Sequence, residues 1–148
     1  MLLLVSLLIG QTHPQSNQLY KSENALLYSP GIKIFEFAQI HDYVAGVYSD
    51  SWFKQRFPNA KMPRVIRGKF PDKAYSTGNT IGFPPQACNC HVLHEIAHQL
   101  TPNADHGPRF ARVFVDLVEN YMGVQSANAL RKEYLDNGVI WLRRPNGK

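Results

Sequence analysis

The sequence predicts an α+β fold, in which strands and helices occupy separate parts of the chain. Apolar residues recur every three or four positions across 37–57, which is the periodicity of an amphipathic helix. Short strand-like segments bounded by turn residues follow between 63 and 83, and three helical segments follow Pro84-Pro85. A parallel α/β sheet would instead alternate strands with helices along the chain.

The first half of the predicted domain contains one helix and a small antiparallel sheet. Residues 18–28 fit either a strand or a short helix, because their periodicity favours neither. The helix across 37–57 is expected to break at Ser49-Asp50-Ser51 and to end at Pro58. The predicted strands are 63–69, 73–76 and 80–83, and a hairpin turn at 77–79 joins the last two.

Three helices make up the second half, across about 87–100, 108–122 and 126–136. Pro108 suits the first position of its helix, where a missing N–H is tolerated, and Gly123 suits the position that ends it. The middle helix has an apolar stripe that predicts its buried face. The stripe consists of Phe110, Val113, Phe114, Leu117, Val118 and Tyr121.

The chain of 148 residues suits one domain, predicted over 18–148, after a hydrophobic extension and linker over 1–17. Residues 1–10 resemble the core of a signal peptide, but no Lys or Arg precedes them and no A-x-A site follows. We therefore expect a cytoplasmic protein, with secretion as the alternative if this segment acts as a signal. No apolar run is long enough for a stable membrane span.

Charge and cysteine content limit the partners only loosely. The formal net charge of +5 permits nucleic acid or another acidic partner but does not require one. The two cysteines, Cys88 and Cys90, are separated by one residue, so a bridge between them would close a tight ring. We expect two reduced thiols, as in a reducing compartment.

Two histidines four residues apart lie on the helix predicted over 87–100. One helical turn brings His94 and His98 to the same face, where two imidazoles can bind one zinc ion. Glu95 lies about 100° further round the helix, where its carboxylate can accept a proton from a metal-bound water. This H-E-x-x-H pattern predicts Zn²⁺ as cofactor and Glu95 as catalytic base.

A catalytic zinc ion needs a third protein ligand and one open position. His106 is the predicted third ligand, because the turn at 101–105 can bring it back towards the metal before Gly107-Pro108 begins the next helix. Carboxylates nearby are alternatives for this position, although we expect them instead to hold the N–H of a ligand imidazole. These carboxylates are Asp105, Asp116 and Glu119.

Two further groups lie near the metal helix. We expect His91, three residues before His94, to be a partly exposed side chain, and the alternative is that it supports a ligand imidazole or donates to a developing oxyanion. Cys88 and Cys90 allow an alternative, a closed structural site with two cysteines and two histidines. That site would leave Glu95 without a role.

These residues resemble those of a known family. The segments HEIAHQLTP at 94–102 and HGPRF at 106–110 look like a family of small metallohydrolases from actinobacteria and their phages, over about residues 18–139. The motifs are more distantly similar to those of the SprT-like and minigluzincin zinc proteases. The resemblance implies a minigluzincin-like core, zinc held by His94, His98 and His106, and Glu95 as base. It also implies that the strand before the metal helix, 80–83, pairs with an extended peptide substrate.

The predicted function is zinc-dependent hydrolysis of a peptide or protein substrate, with Glu95 activating a zinc-bound water. The alternative is a non-catalytic zinc-binding module that binds nucleic acid or a protein partner. We identify no C-terminal zinc ribbon of the kind many SprT-like proteins carry in residues 1–148, so the resemblance alone gives no expectation of action on DNA–protein crosslinks.

Overall fold

The computed structural model describes residues 13–141, which form two compact units. The first unit contains residues 33–100, and the second contains residues 13–32 and 101–141. The helices are α1 (Ser16–Glu23), α2 (Phe37–Ser49), α3 (Ser51–Arg56), α4 (Asn89–Leu100), α5 (Pro108–Met122) and α6 (Val124–Asp136), with a 3₁₀ turn at Asn24–Tyr28. The strands are β1 (Ile34–Glu36), β2 (Arg64–Arg67), β3 (Tyr75–Thr77), β4 (Thr80–Phe83) and β5 (Gln86–Cys88).

The α+β class predicted from the sequence is confirmed, and so is the break in the first long helix. Asp50 separates α2 from α3, and its carboxylate accepts a hydrogen bond from the backbone N–H of Phe53, which caps the new helix. The residues at 18–28 are helical, which was one of the two predictions for them. Residues 1–10, to which the signal-peptide alternative refers, lie outside the described residues.

The first unit contains two small sheets. The β3–β4 hairpin and the β1–β5 pair are antiparallel, as expected, while β2 pairs parallel with β4. The three-stranded sheet therefore has the order β2-β4-β3, with β4 in the centre. The expectation that residues 80–83 pair with an extended peptide is wrong, because both edges of β4 are already paired. A peptide that added to this sheet would have to pair with β2 or β3.

The metal helix α4 begins two residues later than predicted, because 86–88 form β5 instead. Buried Asn89 fixes this helix start. Its backbone N–H donates to the Lys33 carbonyl, and its Oδ1 accepts from the N–H groups of Lys33 and Cys90. Near the other end of the helix, Gln99 Nε2 donates to Ser76 Oγ on β3 at 2.6 Å. α4 is thus held against the strands at both ends.

Cys88 and Cys90 form a disulfide, so the prediction of two reduced thiols is wrong for this structure. Their Cα atoms are 5.3 Å apart, which lies within the range that disulfides ordinarily span. Cys88 ends a strand and Cys90 begins the helical turn, and this change of backbone conformation brings the two side chains together.

The second unit is helical. The apolar stripe predicted on α5 is buried, apart from the half-exposed Tyr121, and Gly123 ends the helix at a φ of 96°, which favours glycine. α6 packs against α5 and against α1, and its buried residues include Leu130 and Tyr134.

Within residues 13–141, no helix combines the length and the apolar character needed to cross a bilayer. The prediction of a single domain over 18–148 stays a prediction.

Candidate metal centre

His94 and His98 lie one turn apart on α4, and their rings are close neighbours. Their ring centroids are 4.9 Å apart, at an interplanar angle of 70°. His94 is buried, whereas His98 is partly exposed. Glu95, between them in sequence, is also buried, with 7% of its surface exposed. The helix therefore presents two neighbouring imidazoles, and the buried Glu95 lies on the same helical turn.

Burial on α4 keeps His94 and His91 neutral. Burial lowers the pKa of His94 to about 3, and the neighbouring His91 adds to the effect. Burial also lowers the pKa of His91 to about 4. Neutral imidazole is the form that binds a metal, so the ring of His94 has a lone pair available at neutral pH.

A tight turn follows α4 and carries His106. The backbone N–H of Ala104 donates to the carbonyl of buried Thr101, and the N–H of Gly107 donates to the carbonyl of Ala104. Asn103 and Asp105 have φ angles of 65° and 48°, in the left-handed region that Asn and Asp tolerate better than most residues. These residue types allow the chain to reverse within a few positions.

His106 is fully buried, and both of its ring nitrogens have partners in the second unit. Nδ1 lies 3.1 Å from Ser16 Oγ and 3.1 Å from Asp105 Oδ1. Nε2 lies 3.1 Å from the Tyr20 hydroxyl, and the two rings meet edge to face at 4.8 Å. Phe110 contacts the imidazole at a centroid distance of 5.0 Å. The position of this ring is thus set from several sides.

The segment before α1 holds the backbone around His106. Gln15 Nε2 donates to the His106 carbonyl at 2.9 Å, and the backbone N–H of His13 donates to Asp105 Oδ2. Ser16 and Gln15 were predicted to lie in a linker. In the structure they are buried residues that contact the predicted third ligand.

The structure brings together the three histidines that the sequence predicted as ligands. His94, His98 and His106 each offer a ring nitrogen, and these nitrogens lie within 4.8 Å of one another. Among the described residues, a second group of potential ligands consists of Cys88, Cys90 and His91. The three-histidine group can bind a metal ion, although the structure does not show which one.

The other predicted residues have different neighbours. Asp116 is buried on α5 and pairs with Arg112 one turn earlier, at 3.5 Å. Glu119 pairs with Arg131 of α6. Neither carboxylate belongs to a described group of potential ligands, whereas Asp105 contacts the His106 ring directly.

Three residues near His106 were missed by sequence reasoning. They are Ser16 and Tyr20, which contact the ring, and Glu23, whose charge interacts with it. Burial raises the pKa of Glu23 to about 8, against an opposing contribution from His106. No local pattern marks these residues, because α1 is short and polar and lies more than 80 positions from His106 in the sequence.

Comparison with known proteins adds no further evidence: no family model matches the chain, and no curated protein or solved structure matches it significantly. The resemblance to metallohydrolases therefore stays a prediction.

Proposed function

We propose that this protein is a zinc-dependent metallohydrolase that cleaves peptide bonds. Zinc would be held by His94, His98 and His106, and Glu95 would act as the general base. The observation that carries the proposal is the meeting of three histidine nitrogens within 4.8 Å, with a buried carboxylate adjacent to one of them on the same helix.

The donor set fits zinc. Nitrogen ligands about 2.0–2.1 Å from a tetrahedral zinc ion lie about 3.4 Å from one another. The observed spacing is compatible with this value after small side-chain movements. Three neutral imidazoles leave one coordination position open, which is the pattern of a catalytic rather than a structural site.

Zinc bound there would activate a water molecule and polarise a substrate carbonyl. Glu95 would accept the proton of that water and pass it to the leaving amine. The burial of Glu95 supports this role, because it keeps the carboxylate out of bulk water.

Asp105 would fix the tautomer of His106. A carboxylate beside a ring nitrogen favours a proton on that nitrogen, so the contact with Asp105 would favour the tautomer in which Nδ1 of His106 is protonated. Nε2 then has the free lone pair and would be the ligand atom. A carboxylate on the far nitrogen also makes an imidazole a stronger ligand.

Tyr20 occupies the direction in which Nε2 of His106 would bind a metal. With Nδ1 protonated, the Tyr20 hydroxyl is the donor in its 3.1 Å contact with Nε2. Metal binding would displace this hydroxyl, which would stay beside the site. Tyr20 is therefore expected to compete with zinc in the metal-free protein.

The test measures metal content and peptidase activity on the same samples. Purified wild-type chain should contain one zinc ion per molecule and hydrolyse members of a mixed peptide library. Glu95→Gln should retain zinc and lose at least about 100-fold in rate, because general-base catalysis contributes about 10²–10⁴-fold. Glu133→Gln, in α6, is the matched control and should behave as wild type.

Two results would contradict the proposal. Full activity in Glu95→Gln would exclude Glu95 as the base. Zinc binding without hydrolysis of any library member would favour the non-catalytic zinc-binding module, and salt-sensitive binding to DNA or RNA would then identify a nucleic-acid partner. The cytoplasmic location of the protein stays a prediction.

A further inference from the structure

Cys88, Cys90 and His91 form a second group of potential ligands in the first unit. Their two sulfurs and one ring nitrogen lie within 4.8 Å of one another. Both cysteines are buried, at 4% and 3% exposure, while His91 is partly exposed. The group lies where β5 meets α4, and it shares no residue with the three-histidine group.

The backbone that carries this group is held by contacts other than the S–S bond itself. Cys88 lies opposite Ile34 in the β1–β5 ladder. Asn89, between the two cysteines, is tied to Lys33 by backbone and side-chain hydrogen bonds. The backbone N–H of His91 donates to Cys88 Sγ at 3.3 Å. Reduction of the disulfide would therefore leave the three side chains close together.

We propose that the reduced Cys88–Cys90 pair and His91 bind a thiophilic divalent cation such as Zn²⁺ or Cd²⁺, at a site separate from the three-histidine centre. The disulfide in the structure is the oxidised, metal-free form of this site. A phosphine converts it: the S–S bond breaks, the phosphine is oxidised to a phosphine oxide with oxygen from one water molecule, and Cys88 and Cys90 each gain one proton of that water and become thiols. Binding of the cation then releases these two protons.

The chemistry of the donors favours a soft cation. Thiolates prefer Zn²⁺ and its softer relatives to Mg²⁺ or Ca²⁺. Two thiolates neutralise the charge of a divalent cation, which suits a buried position where an uncompensated charge is costly. Sulfur ligands about 2.3 Å from a tetrahedral ion lie about 3.8 Å apart, so the sulfurs need only separate by side-chain rotation.

Partial exposure of His91 gives the cation a route to the site. The cysteines alone would provide two ligands, and His91 adds the third from the same helical turn. A fourth position remains for a water molecule or an external ligand. The site is expected to exist only under reducing conditions, which makes metal content a function of redox state.

The test is a Cd²⁺ titration of the full-length chain, comparing protein reduced by a phosphine with oxidised protein. Cadmium bound to thiolate gives an ultraviolet charge-transfer band that histidine ligands do not give. Since the chain has only two cysteines, any such band reports this group. Reduced wild type should show the band and bind one more equivalent than oxidised wild type.

Variants define the ligands. Cys90→Ser should abolish the band, and His91→Ala should keep it but weaken Cd²⁺ binding by at least about tenfold. His41→Ala, at an exposed histidine of α2, is the matched control and should bind as wild type. Circular dichroism checks that each variant is folded, and the comparison of reduced with oxidised wild type requires no substitution.

Absence of the band in reduced wild type would overturn the proposal, and the cysteines would then form a structural disulfide only. Equal affinity in His91→Ala would overturn the three-ligand assignment. Neither result depends on the proposed hydrolase, because the three-histidine centre contains no sulfur. Failure of the proposed three-histidine centre would appear instead as loss of the Cd²⁺ equivalent that oxidised protein is expected to bind.

Discussion

The two parts of the candidate metal centre are built in different ways. His94 and His98 lie one turn apart on α4, so the helix geometry brings their rings close together. His106 follows a tight turn, and its ring is held by Ser16, Tyr20 and Asp105. Local helix geometry provides two ligands, whereas contacts between distant parts of the chain orient the third. The two parts should therefore respond differently to substitution.

The largest effect is expected at the helix pair. His98→Ala should reduce zinc affinity by more than about 100-fold, because loss of a ligand exceeds the effect of losing a group that supports one. Zinc affinity is measured by competition with a chelating dye, and exposed His41→Ala is the control. Zinc affinity within threefold of wild type would show that His98 is not a ligand.

The region around His106 should make the metal-free protein sensitive to pH. The pKa of Glu23 is about 8 in the folded state and about 4.5 in the unfolded chain, so between these values the folded state holds a proton that the unfolded state releases. Between about pH 7 and 8 stability should therefore fall as the pH rises, by at most about 1.4 kcal/mol per pH unit. Below about pH 6.5 the lowered pKa values of His91 and His94 act in the opposite direction, because the unfolded chain then binds protons that the folded state does not.

Glu23→Gln should remove most of this pH dependence, while Asp72→Asn, at an exposed position, should not. Urea unfolding in the presence of a chelator, measured at each pH, tests both variants. Identical slopes for wild type and Glu23→Gln would mean that Glu23 does not keep its proton in the folded protein.

A smaller effect is expected at the carboxylate that orients His106. Asp105→Asn keeps the shape of the side chain and tolerates the left-handed φ of 48°, but it removes the charge beside Nδ1. Zinc affinity should fall by about 10–100-fold, as is usual for such partners. The same substitution at Asp72 should have no effect. A loss as large as that of His98→Ala would instead make Asp105 a ligand.

The smallest effect should have the opposite sign. Tyr20→Phe removes the hydroxyl that competes for Nε2 of His106, and a typical hydrogen bond contributes about 1 kcal/mol. Zinc affinity should rise by about fivefold, and the metal-free protein should lose similar stability. Tyr28→Phe, at a side chain that is 89% exposed, is the control. Weaker zinc binding in Tyr20→Phe would mean that Tyr20 supports the metal instead of competing with it.

Most helices were predictable because their signals are local. The apolar stripe of α5, the proline at its start and Gly123 at its end are all visible in the sequence, and the structure has them as predicted. Strands β1 and β5 were missed because each has three residues and no partner strand next to it in the sequence. The equally short β3 was predictable because a turn at 77–79 joins it to β4. The existence of β1 and β5 depends on pairing between positions about 50 residues apart.

The Cys88–Cys90 disulfide likewise depends on contacts with a distant part of the sequence. The one-residue spacing suggested that a bridge would be unfavourable. This expectation assumed that residues 88–90 share one backbone conformation. The change from strand to helix at Asn89 brings the two sulfurs together. Hydrogen bonds between Lys33 and Asn89 hold the backbone at that change of direction, and no pattern around 88–90 encodes them.

The sequence by itself determined the α+β class, the helix that carries His94, Glu95 and His98, and the choice of His106 as their partner. These follow from spacing along a single helix and from turn residues next to it. Only the tertiary structure decided that β4 lies inside its sheet, that Cys88 and Cys90 are bonded, and that Ser16 and Tyr20 surround His106. The physical reason is the separation in sequence of the residues that interact. Helix geometry repeats every few residues, whereas strand order and side-chain partners depend on distant segments that meet only when the chain folds.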